Sequence, residues 1–103
     1  MQVAQDVAAL FKAAAADLRV RGEHAKASVN PLPSGQVVVA LEVVRDGGDW
    51  QRNLVMTLDP VGSPQVDVRL LNDDQDTIEE IGEAGDAAMS LGRAGIARLL
   101  AEV

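Results

Sequence analysis

Residues 36–58 read QVVVALEVVRDGGDWQRNLVMTL, and this stretch decides the fold. Residues 36–45 are rich in valine and nearly apolar on both flanks, as expected of a central strand. Asp46-Gly47-Gly48-Asp49 follows. Its two glycines can take the positive φ that a tight hairpin demands. Residues 50–58 then return as a second strand. With Asp46 opposite Asp49, Val43 faces Arg52, Leu41 faces Leu54, Val39 faces Met56 and Val37 faces Leu58. Only Arg52 interrupts this apolar ladder. A slip of one residue would turn all of these side chains to the other flank, so the pattern specifies its own register.

Working outward, Ala25, Ala27 and Val29 alternate with His24, Lys26 and Ser28. This predicts an earlier strand, ended by Pro31-Leu32-Pro33-Ser34-Gly35. A fourth strand is expected over 65–71, beyond a loop holding Pro60, Gly62 and Pro64, with Val66, Val68 and Leu70 joining the core flank. The opposite flank carries His24, Lys26, Ser28, Val38, Ala40, Glu42, Val44, Gln51, Asn53, Val55, Thr57, Asp67 and Arg69. It is too apolar for a plain solvent face and too polar for a second core.

Both ends of the chain change period from 2 to 3.6. Val3, Val7, Leu10, Phe11, Ala14 and Leu18 form one stripe of a helix over 2–21, with Gly22 as a left-handed stop. At the other end Thr77 and Glu80 make a capping box, so a closing helix is expected from there. Its apolar face would hold Ile78, Ile81, Gly85, Ala88, Met89, Gly92, Ile96, Leu99, Leu100 and Val103. Glycines 82, 85, 92 and 95 would each cost such a helix up to about 1 kcal/mol. Either the helix breaks near Gly82–Gly85 or another backbone crosses closely at Gly85, Ala88 and Gly92, and the crossing is the preferred expectation. The predicted fold is therefore α+β, a single domain over residues 1–103. Its order is α-β-β-β-β-α, a four-stranded antiparallel meander with both helices packed on one face. The order is similar to that of small secretion chaperones and other helix–sheet–helix adaptors, a likeness of architecture without a shared motif.

Composition narrows the function classes. The 103 residues include no cysteine, one histidine, one Phe and one Trp, so thiolate metal sites and disulfides are excluded. No cofactor is expected. No apolar run is long enough to span a membrane, and the N-terminus lacks the order of a signal peptide. The expected location is the cytoplasm. The Ala, Val, Gly, Asp and Arg bias points to a GC-rich bacterial or phage genome. Of the net charge of −7, residues 59–103 supply −7, residues 31–58 −1 and residues 1–30 +1. Direct nucleic-acid binding needs clustered Lys and Arg, which this distribution lacks outside Lys12, Arg19, Arg21 and Lys26.

The acidic run Asp73, Asp74, Asp76, Glu79, Glu80, Glu83 and Asp86 reads either as a solvated helix start or as a patch for a basic partner. The single histidine, His24, is expected across from Glu42. No nucleophile stands beside it, and no Gly-x-Ser-x-Gly elbow occurs. Trp50 is expected to cap the hairpin by stacking on Arg45 or Arg52; left exposed, it would be an anchor for a partner. The expected function is a non-enzymatic protein-interaction module, a small acidic adaptor, chaperone or inhibitor that forms a homodimer. The residues expected to bind a partner are Glu79, Glu80, Glu83, Asp86, Val38, Val44, Trp50 and Val55. The alternatives are an acidic mimic of nucleic acid that inhibits a basic protein, and a small-ligand or enzyme domain with a cavity between sheet and helices, which a polar-lined pocket around His24 would favour.

Overall fold

The computed structural model describes residues 2–59, 67–81 and 87–103. The element order is α1 (Gln2–Val20), β1 (His24–Pro31), β2 (Val37–Arg45), β3 (Trp50–Leu58), β4 (Asp67–Leu71), β5 (Thr77–Ile81) and α2 (Ala88–Glu102). The strands form one antiparallel sheet in the order β1-β2-β3-β4-β5. Both helices pack on the same face, α1 over β1 and β2, α2 over β3, β4 and β5.

The hairpin sets the frame. Arg45 pairs with Trp50, Val43 with Arg52, Leu41 with Leu54, Val39 with Met56 and Val37 with Leu58, as the ladder of apolar positions requires. Asp46, Gly47 and Gly48 all take positive φ, at 55°, 68° and 104°, so the chain reverses without splaying the strands. Val39, Leu41, Val43, Leu54, Met56, Leu58, Val68 and Leu70 are buried beneath the helices. The helix α1 ends in a Schellman motif at Gly22, whose φ is 90°. Glu23 N–H donates to the Leu18 carbonyl and Gly22 N–H to that of Arg19. The buried stripe of α1 is Ala4, Val7, Ala8, Phe11, Ala15 and Leu18. It is rotated from the expected one because α1 turns its small alanines onto the sheet, while Leu10 and Ala14 lie half-buried.

Three expectations are corrected. The sheet has five strands and not four: Thr77–Ile81 is β5, so the capping box at Thr77 does not open a helix. Val68 pairs with Ile81, Arg69 with Glu80 and Leu70 with Glu79. Ile78 and Ile81, spaced by three, suit a helix stripe as well as a strand, and the β-branched content of the segment suits the strand. An Asx turn delivers the chain into it. Asn72 Oδ1 accepts from the amides of Asp74 and Asp76 at 3.0 Å each, and Gln75 takes φ 64°. The second correction is the start of the closing helix, which lies at Ala88, with Gly92 and Gly95 inside it. The third is His24, which pairs with Val44, whereas Glu42 faces Lys26. The turn between β1 and β2 sets this register. Leu32 N–H donates to the Gln36 carbonyl and Gly35 N–H to that of Leu32, which places β1 two residues from the expected pairing and so keeps its alternation. The expectations for Val66, Gly82, Glu83, Gly85 and Asp86, and for the loop of Pro60, Gly62 and Pro64, lie outside the described residues.

Candidate functional site

The helices cover one face of the sheet and leave the other uncovered. Four rows run across this open face. Asn30, Val38 and Thr57 form the first, and Ser28, Ala40, Val55, Arg69 and Glu80 the second. Lys26, Glu42, Asn53 and Leu71 form the third, and His24, Val44 and Gln51 the fourth. Val38, Ala40, Val44, Val55 and Leu71 are all half-buried among their neighbours, and Ile78 is 40% exposed. Ala40 and Val55 form the centre.

A polar chain crosses the face beside that centre. Gln51 Nε2 donates to Glu42 Oε2 at 3.3 Å and to Asn53 Oδ1 at 3.2 Å. Asn53 Nδ2 donates in turn to Gln75 Oε1 at 3.1 Å. Asn53 is only 7% exposed although no helix lies over it, because Gln51 and Gln75 close above it. A buried amide requires such partners. Two opposite-charge pairs face each other across strands here: Lys26 opposite Glu42, and Arg69 opposite Glu80 with Nε 3.5 Å from Oε1.

Glu79 and Glu80, both expected among the partner-binding residues, point apart. Glu80 lies on the open face with Arg69. Glu79 lies on the helix side, where Arg98 Nε reaches Oε2 at 2.9 Å. Strand alternation separates them, as helix spacing would not. Arg98 also holds Glu102 Oε1 at 2.8 Å, and Asp73 is held by Arg52 at 3.1 Å. Much of the acidic run therefore meets arginine.

Trp50 sits on the helix side at the hairpin end. The guanidinium carbons of Arg45 and Arg52 each lie 4.8 Å from its ring centroid, so both cations flank the indole. Arg45 also forks onto Glu23, with Nε 2.7 Å from Oε2, and reaches the Val103 carbonyl at 3.1 Å. The hydrogen bonds from Arg45 hold the Glu23 carboxyl below its usual range. Trp50 is no part of the open face, and the two arginines that flank it link the hairpin to α2, Arg52 through Glu102 at 3.6 Å and Arg45 through the Val103 carbonyl just past its end. Sequence reasoning missed this Glu23–Arg45 fork, since 22 residues separate the pair.

Among the described residues, two hollows border the sheet. One, of about 210 Å³, is lined by Arg19, Glu23, His24, Lys26 and Glu42 among others. The other, of about 460 Å³, runs between α1 and β1. Among the described residues no three His, Asp or Glu side chains converge as metal ligands would, and no helix is long and apolar enough to cross a membrane. Compared with protein-family models, curated proteins and solved structures, the chain matches none of them significantly.

Proposed function

We propose that this chain is a non-enzymatic protein-interaction module that works as a homodimer joined through the open face of its sheet. Its acidic remainder suits the role of an adaptor, chaperone or inhibitor toward a basic partner. The observation that supports this reading is the face itself, an apolar centre at Ala40 and Val55 ringed by charge-balanced pairs. Interfaces share that anatomy of apolar core and polar rim. A chain of net charge −7 tends to repel its own copy, and the opposite-charge pairs on this face reduce that repulsion locally.

The size is adequate. Five strands at about 4.8 Å spacing, and up to nine residues at about 3.3 Å, give a face of roughly 500 Å² before side-chain relief is counted. A stable pair buries about 800 Å² per partner, which relief and rim contacts can supply. Light scattering coupled to gel filtration tests the proposal. The native chain is expected at twice its monomer mass of 10.8 kDa at tens of micromolar. Val55→Lys, which sets two like charges near the two-fold axis, is expected at the monomer mass with an unchanged circular dichroism spectrum. A native chain that stays monomeric at that concentration overturns the proposal.

A further inference from the structure

The hollow between α1 and β1 is a gap in the core. Val29 lies on the covered flank of the sheet, opposite the fully buried Val39, yet 44% of it is exposed. The reason is the helix above it. Where Val7, Phe11 and Leu18 fill the layer further in, α1 lines this edge with Ala4, Gln5, Ala8, Ala9 and Lys12, none of them a large apolar side chain. The result is an open groove of about 460 Å³, with Val29 and Val37 on the sheet side and the exposed Gln5 and Lys12 on the helix side. That volume lies within the range of small-molecule sites, about 300–1,000 Å³.

The chemistry of the lining is one-sided. Its walls are apolar, and Lys12 is the single charged residue among those that line it. Ala4 and Lys12 stand eight residues apart on one helix, about 12 Å along its axis. A ligand that matches has an apolar body of that length and one negative end. A cationic or zwitterionic ligand would leave its charge against Lys12 or against alanine.

We propose that this groove binds an apolar molecule carrying a single carboxylate, a fatty or aryl-alkyl acid of medium chain length, with its tail between α1 and β1 and its head at Lys12. The site lies on the helix side of the sheet, so it stays open whether or not the outer face pairs.

Titration of ¹⁵N-labelled protein with octanoate, octanol and octylammonium, all below their self-association concentrations, tests this. Octanoate is expected to shift the amides of Ala4, Ala8, Val29 and Val37 saturably and to bind more tightly than the other two. Lengthening the acid from six to ten carbons is expected to tighten binding by up to about fourfold per methylene until the groove is full. Lys12→Glu, an exposed change that leaves the fold intact, is expected to weaken octanoate about fivefold to tenfold, and Lys12→Arg to retain it. Ala8→Phe is expected to fill the groove and abolish the shifts. Should the Phe variant fail to fold, the lysine pair and the alcohol control still decide. Absence of saturable shifts at millimolar octanoate, equal binding of octanol, or indifference to Lys12→Glu would each overturn the proposal.

Discussion

Gly95→Ala isolates the contact that seats α2 on the sheet. Alanine exceeds glycine in helix propensity by about 1 kcal/mol, so an open helix position would gain stability. Gly95 is not open. A Cβ there would stand 2.8 Å from Leu54 Cδ1, 3.1 Å from Leu54 Cδ2 and 3.2 Å from Val68 Cγ1. Leu54 and Val68 are fully buried, so neither can swing into solvent. Overpacking of that kind costs about 1–3 kcal/mol, and the sum is a net loss of about 1 kcal/mol. In a domain of this size that lowers Tm by about 4–8 °C. Gly92→Ala is the control. Its Cβ would meet Leu10 Cδ2 at 3.3 Å, and Leu10 is half-buried and able to give way. That variant is expected to match the native stability or exceed it by about 0.5 kcal/mol. Urea unfolding followed by the single tryptophan, at one fixed protein concentration, measures both. Leu54→Val shortens the clashing side chain, so the Gly95→Ala/Leu54→Val double variant is expected to be more stable than the two single losses predict, by at least about 0.5 kcal/mol. A Gly95→Ala protein as stable as the native chain, or strict additivity with Leu54→Val, refutes the account of how α2 docks.

Glu23→Gln is expected to lower stability at neutral pH and to matter little in acid. The hydrogen bonds from Arg45 depress the Glu23 pKa below its ordinary 4.5, so the pair's contribution is fully present above that value and is lost as pH falls through the folded-state pKa. Urea midpoints at pH 7, 5, 4 and 3 should show the native and Gln curves converging at the acid end; a constant gap would mean that the pair does not titrate as its geometry requires. Arg98→Met removes the group that holds both Glu79 and Glu102, and amide exchange in β5 is expected to speed up severalfold while exchange in β2 and β3 stays unchanged. Uniform acceleration across the sheet would show that β5 does not open as a local unit.

The legibility of this fold varied with how many requirements each segment had to satisfy. In the β2–β3 hairpin three demands agreed: the turn glycines, the β-branched content and the pairing of apolar residues opposite one another. The register could therefore be read directly. For β1 the turn offered no comparable anchor, because the five residues between Pro31 and Val37 admit more than one closure. His24 was accordingly misplaced relative to Glu42. Residues 77–81 failed for another reason. Two isoleucines spaced by three, preceded by Thr and followed by Glu, satisfy helix and strand alike over so short a run. The deciding fact was long-range, the availability of the β4 edge. The Glu23–Arg45 fork and the small side chains over Val29 were illegible for the same reason: they depend on which elements lie against one another.

The fifth strand also changes what the open face can do. Without β5, Arg69 and Leu71 would stand on an edge and the face would be narrower by one strand. With it, Arg69 gains Glu80 as its cross-strand neighbour, and the polar chain from Glu42 through Gln51 and Asn53 ends on Gln75 in the turn that leads into β5. Gln75 holds φ 64°, a conformation that costs a non-glycine residue about 1 kcal/mol or more. That cost falls at the residue whose side chain closes over Asn53. A face made only of valine and alanine would let two copies slide over each other with little change in energy. A row of amides and a carboxylate through the middle forbids it, since an offset pairing would press Glu42 or Asn53 against apolar side chains and leave hydrogen-bonding groups buried without partners. The same row that weakens the face as a hydrophobic patch would give the proposed pair its register.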